Sequence, residues 1–261
     1  MIGQSKIKSR LFIDSVNDLP HSLLFVGSEG CGKHLIANEL SNHFNIPLID
    51  ISDNISLDLI NEISLKPIQT FYLIDTSKLT DRTQNVILKF LEEPNQYTYI
   101  ILLATNKSYL LNTVVNRCVS YEFEPYTKDE LRTFIKSGDS ALILNLCDTP
   151  GKILSLNNNL NNLLSLCDTI VEKLDKANYA NTLSIVSKIN LKDEFDKFDF
   201  NLFFNALLIS IKSHYQNSGN DRYLFMYDFV CNYAKRLRDA RLNREYLLEN
   251  FLTTYWEFVR C

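Results

Sequence analysis

Apolar residues in the first half of the chain come in short unbroken runs, with polar and helix-forming stretches between them. HSLLFVG (21–27), IPLIDIS (46–52), TFYLIDT (70–76), TYIILLAT (98–105) and CVSYEFEP (118–125) read as strands, most of them too apolar for burial on one side only. The segments between them change to a helical period. KHLIANELSNHF (33–44) sets Leu35, Ile36, Leu40 and Phe44 on one stripe, and LDLINEISL (57–65) makes a short helix. LTDRTQNVILKFLEEP (79–94) puts Val86, Ile87, Phe90 and Leu91 on one face, with Thr80 or Asp81 to cap it and Pro94 to stop it. YLLNTVVNR (109–117) aligns Leu110, Leu111, Val114 and Val115. Buried strands alternating with helices predict a parallel sheet covered on both faces, with ligands beyond the carboxyl ends of its strands.

After Pro125 the strand pattern ends. TKDELRTFIK (127–136) and DSALILNLC (139–147) predict short helices, and DTPG (148–151) predicts a turn opening a helix at Lys152. The Asn-rich LNNNLNNLL (156–164) reads as a hinge. Four or five amphipathic helices follow, among them residues 199–215, with Phe203, Phe204, Leu207 and Leu208, and 244–259, with Leu247, Phe251 and Trp256. The expected organisation is an α/β domain over 1–124, a small helical domain over 125–160 and an all-helical domain over 161–261.

Composition narrows the function classes. Of the 261 residues, 46% are hydrophobic and 22% charged, values of an ordinary folded protein, and the formal net charge is −4. Binding of nucleic acid by bulk positive charge is therefore disfavoured, and any such contact is local or shared with partners. The six cysteines include no C-x-x-C pair, which predicts neither a zinc site nor a disulfide framework. No run approaches the ~18 apolar residues of a membrane span, and the N-terminal stretch lacks a signal core. The expectation is a cytoplasmic protein with no membrane contact.

The candidate chemistry starts in GSEGCGK (27–33), which has the G-x-x-x-x-G-K spacing of a phosphate cradle between a strand and a helix. Gly27, Gly30 and Gly32 let backbone N–H groups converge on phosphate oxygens, and Lys33 reaches the outer phosphates. His34 stands where such loops place a hydroxyl for Mg²⁺, and imidazole replaces it poorly. Asp75 ends a buried strand in the manner of a magnesium-holding acid, but Thr76 follows where hydrolytic machines carry a glutamate. Thr105 is either a sensor of the terminal phosphate or a cap for the next segment. Arg117 is either a solvated rim charge or a guanidinium reaching a neighbouring subunit's nucleotide.

Together these segments resemble the AAA+ clamp-loader family of bacterial DNA polymerase III, on the side of its delta-prime subunits. The likeness rests on IGQ (2–4), HSLLFVGSEGCGK, YLIDTSKLTDRTQNVILKFLEEP and ILLATNKSYLLNTVVNRC, in which Asn116-Arg117-Cys118 stands for the family's Ser-Arg-Cys. It covers about the first 125 residues closely and is architectural beyond them. The resemblance implies a P-loop NTPase-type sheet domain, a helical lid in which Lys152 stands near the second sensor, and a helical collar. It further implies a pentamer with gamma/tau-like and delta-like subunits that opens a sliding clamp on primer-template DNA. This chain would be its stator, with a site for ATP and magnesium that is weakened or lost and Arg117 acting in trans. Family members usually carry a zinc module after the first helix; HFNIPLID runs straight on, so no zinc is expected. The alternatives are an ATP-hydrolysing motor subunit, with Asp81 as base, and a different AAA+ adaptor.

Overall fold

The structure is a computed structural model that describes residues 3–136, 138–156, 159–175, 200–237, 250–251 and 253–255. The chain divides into two compact units, the first made of residues 1–131 and 149–151, the second of 132–148 and 152–261.

The first unit is built on a five-stranded parallel sheet: β1 (Ser22–Val26), β2 (Leu48–Asp50), β3 (Thr70–Asp75), β4 (Thr98–Ala104) and β5 (Val119–Glu122), in the order β2-β3-β4-β1-β5. Leu24 of β1 lies beside Leu102 of β4 on one side and Ser120 of β5 on the other. Every residue of β4 is buried, as its unbroken apolar run requires. Successive side chains alternate between faces, so the sheet feeds two cores. One joins Phe25, Phe71 and Tyr99 to Ile36, Ala37 and Leu40 of helix α2 (Lys33–Phe44) and to Ile7 and Leu11 of α1 (Ser5–Leu11). The other joins Leu24, Ile74, Ile100 and Leu102 to α3 (Leu57–Ser64) and to Ile87, Phe90 and Leu91 of α4 (Asp81–Glu92). Each such side chain taken from water contributes roughly 1.5–3 kcal/mol before chain entropy is set against it.

Three local expectations change. Leu35 is 48% exposed, because the buried stripe of α2 runs through Ile36, Ala37 and Leu40. The second strand shrinks to three residues at the sheet edge, with Ile49 exposed. The helix expected over 109–117 is a 3-10 turn (Lys107–Tyr109) followed by a single helical turn, α5 (Asn112–Val115). The buried side chain of Gln84 supports this break, donating to the Tyr109 carbonyl at 3.2 Å and accepting from the Leu111 N–H at 2.8 Å.

Helix α6 (Lys128–Arg132) ends the first unit's continuous chain. The second unit contains α7 (Ser140–Leu146), most of α8 (Pro150–Leu156), α9 (Leu160–Asp175), α10 (Phe200–Ser218) and α11 (Arg222–Leu237). Helix α10 packs on both α9 and α11. Leu163, Cys167, Ile170 and Val171 of α9, Phe203 and Leu207 of α10 and Met226 and Val230 of α11 are buried. Of the hinge expected at 156–164, residues 157–158 lie outside the described residues and 160–164 are helical instead: Leu160 and Leu163 fall three apart, on the buried face that opens α9, while Asn161 and Asn162 face solvent. Helix α8 begins at Pro150, two residues before the expected start, as suits proline in a first turn. Leu247 and Trp256 lie outside the described residues. Among the described residues no helix is long and apolar enough to cross a membrane.

Candidate functional site

The glycine loop leaves β1 at Val26 and enters α2 at Lys33. Gly30 and Gly32 hold φ of +76° and +100°, values at which a side chain at either position would be strained. Gly32 is the N-cap of α2, and no side chain caps this helix. A helix start without a side-chain acceptor suits an anion, so the backbone fits the phosphate cradle read from the spacing. Cys31, buried in the first core, pins the loop from below. Burial pushes its thiol up, against the pull of the Lys33 ammonium 3.8 Å away.

The loop's carbonyls are all engaged by donors from this chain. The Lys33 ammonium donates to the Gly27 carbonyl and, at 2.9 Å, to that of Ser28. The Thr149 hydroxyl donates to the Glu29 carbonyl at 2.9 Å, and the Gly151 N–H donates to the Gly30 carbonyl at 2.9 Å. The Tyr126 hydroxyl donates to the Cys31 carbonyl, also at 2.9 Å. Residues 149–151 thus form a tab on the loop, and they belong to the first unit although their chain neighbours belong to the second. A Cβ on Gly151 would come within 2.6 Å of the Gly30 Cα, so glycine alone allows this approach.

Beyond the strand ends, the expected acids and sensors take different postures. Asp75 accepts from the Ser77 N–H at 2.9 Å and caps a 3-10 turn, while its own N–H donates to the Ser52 hydroxyl. Thr76 is 6% exposed and its hydroxyl donates to the Leu103 carbonyl at 2.9 Å, within the sheet. His34 is exposed at the start of α2. Thr105 is exposed just past β4, and the cap of the following 3-10 turn is Asn106, whose side chain accepts from the Ser108 N–H. The capping role weighed for Thr105 therefore belongs to its neighbour. Asp81 is exposed in the first turn of α4, whose cap is Thr80. The loop backbone suits an anion, and the position after Asp75 carries a hydroxyl and no carboxylate.

Arg117 follows α5 and is partly exposed; its guanidinium donates to the Thr113 carbonyl at 2.7 Å and pairs with the Glu92 carboxylate. Beside it, burial pushes the Cys118 thiol up to about 12, leaving it a packing residue at neutral pH. Lys152, in the second unit, forms an ion pair with Asp148 at 2.9 Å. Among the described residues no group of three or more His, Cys, Asp or Glu could hold a metal ion.

Sequence reasoning missed Thr149, Gly151, Tyr126, Gln4 and Glu92 as parts of these surroundings. Gly151 carried a signal, since glycine after proline marked a turn, but nothing in the pattern tied that turn to a loop 120 residues earlier. Gln4 is buried and exchanges two hydrogen bonds with the backbone of Glu124, at 2.8 and 3.0 Å, strapping Gln4 to the chain just past β5.

Comparison with known proteins shows what the chain is similar to. Residues 47–127 match the family model described as DNA polymerase III, delta subunit. The delta-prime subunit of DNA polymerase III from Bacillus subtilis is 28% identical over 141 residues, covering 41% of this chain and 43% of that protein. Replication factor C small subunit 1 from Pyrobaculum islandicum is 28% identical over 144 residues, covering 48% of this chain and 43% of its own length. Over this part of its length the chain is similar to subunits of the clamp-loader family. Its matches span less than half the length of these curated relatives. The fold is similar to that of a DNA polymerase III gamma subunit-related protein from Thermotoga maritima, with a TM-score of 0.51, 19% identity and coverage of 98% and 99% of the two chains. It is also similar to the RuvB Holliday junction branch migration motor of the same organism, with a TM-score of 0.51, 19% identity and coverage of 82% and 77%. The five-stranded parallel sheet with flanking helices is thus the AAA+ P-loop fold.

Proposed function

We propose that this chain is a stator of the delta-prime type, a clamp-loader subunit that supports DNA replication without hydrolysing ATP itself. Thr76 carries the reading: the position after the strand-end acid holds a hydroxyl committed to the sheet, so no carboxylate there can polarise water. His34 in place of the magnesium hydroxyl agrees with it, and so does a Lys33 ammonium engaged by the Gly27 and Ser28 carbonyls. ATP with magnesium binds weakly at Gly27, Gly30, Gly32, Lys33, His34, Asp75 and Thr105, with Lys152 as second sensor, or not at all. The collar helices join gamma/tau-like and delta-like subunits in a pentamer that seats a sliding clamp on primer-template DNA in the cytoplasm.

The catalytic contribution is made in a neighbour's site. A guanidinium supplied in trans neutralises charge on the transferring phosphate, worth about 10³ to 10⁵ in rate in systems built around it. Arg117, at the rim of the sheet domain, is the candidate. Isolated protein should turn over ATP far below ~1 s⁻¹; turnover near that value overturns the stator reading. In the reconstituted complex, Arg117→Ala should assemble normally and lose clamp- and DNA-stimulated ATPase. Lysine at this position should rescue poorly, because a point charge does not reproduce the planar fork. Normal stimulated ATPase in an assembled Arg117→Ala complex would remove the claim.

A further inference from the structure

We propose that Glu92, at the C-terminal end of α4, is the positioning residue for the Arg117 guanidinium; the inference rests on the trans-acting role just given to Arg117. The two residues lie in the segments that carry the family likeness most specifically, LKFLEEP and NRC, and the fold brings those segments together in one ion pair. Arginine is a long side chain rich in rotamers, and one left in solvent would have to lose that freedom when it meets a phosphate. Here one terminal nitrogen is bound to the Thr113 carbonyl at 2.7 Å and the other to Glu92.

Of the five N–H donors of a guanidinium these two bonds use two, which leaves part of the planar fork for an incoming oxyanion. The positive end is therefore held before a neighbour's nucleotide arrives, which is how preorganised charge assists phosphoryl transfer. Stability does not explain the pair. The side chains of Arg117 and Glu92 are 34% and 47% exposed, and pairs this open contribute little to folding. Nor is the carboxylate needed to end α4, since the Glu93 N–H closes that end on the Lys89 carbonyl.

The test uses the full chain in the complex reconstituted with its clamp-loader partners, a sliding clamp and primed DNA. Glu92→Ala should lower the kcat of stimulated ATPase about three- to tenfold with the KM for ATP unchanged, a smaller loss than that of Arg117→Ala. Glu92→Gln, which keeps an acceptor without the charge, should fall between wild type and Glu92→Ala. In the Arg117→Ala background, Glu92→Ala should add nothing. An equal loss in both backgrounds would show that Glu92 acts by another route and overturn the proposal. So would wild-type kcat in Glu92→Ala alongside an impaired Arg117→Ala, and that result leaves the stator reading standing. Wild-type activity in Arg117→Ala removes both. In the isolated chain, nitrogen NMR of the Arg117 guanidinium should show restricted rotation that Glu92→Ala releases; free rotation in wild type would overturn the positioning role alone.

Discussion

At Gly151 a missing side chain decides the surroundings of the nucleotide loop. Its N–H reaches the Gly30 carbonyl only because no Cβ stands between two backbones, and a methyl there would lie 2.6 Å from the Gly30 Cα. Neither partner can yield by turning a side chain, so the tab itself must lift. Gly151→Ala should cost about 1–3 kcal/mol, read as a lower urea midpoint with an unchanged slope. Thr149→Val should cost less, about 1 kcal/mol, because the Glu29 carbonyl it abandons is exposed and can turn to water. Equal stability of Gly151→Ala and wild type would show that the tab does not hold the loop. Thr76 makes the complementary point. Its sequence position revealed the lack of an acid, while only the structure revealed that its hydroxyl is spent on the Leu103 carbonyl.

Among the elements, α4 was the most legible, because its start, buried face and stop are all written locally. Thr80 caps it and Thr83 returns the bond to the Thr80 N–H, a reciprocal box whose bonds measure 3.3 and 2.8 Å. Thr80→Ala should therefore lower stability by about 1 kcal/mol, and Asp81→Ala by less, measured by chemical denaturation. The central strands were legible for the same reason, since burial on both faces leaves β4 no polar position. Elements that depend on remote partners were not. The helix expected through 109–117 breaks because Gln84, from another helix, takes the backbone groups of Tyr109 and Leu111. The start of α9 was hidden by asparagines that mark its solvent face. Within the site, the bend of the glycine loop into α2 was legible because glycine spacing is a local constraint. The pairing of Arg117 with Glu92 was not, because it needs the fold to bring the ends of α4 and α5 together.

For the whole molecule, the presence of two compact units, each with buried apolar residues of its own, predicts unfolding in more than one step. Calorimetry of the full chain should give a total enthalpy larger than the van't Hoff value from its main transition, whereas a ratio of one would mean a single cooperative body. The tab also has a consequence in time. The donor for the Glu29 carbonyl lies 120 residues further along the chain, as does the far end of the strap between Gln4 and Glu124. At about 5–20 residues per second, a ribosome needs about 6–24 s to make that length. During that interval the strands nearest the N-terminus can exist while the loop beside them lacks the donors from Tyr126, Thr149 and Gly151. Chaperones would meet the glycine loop first in an unlatched form, and it would acquire its finished shape only after residues 149–151 are made.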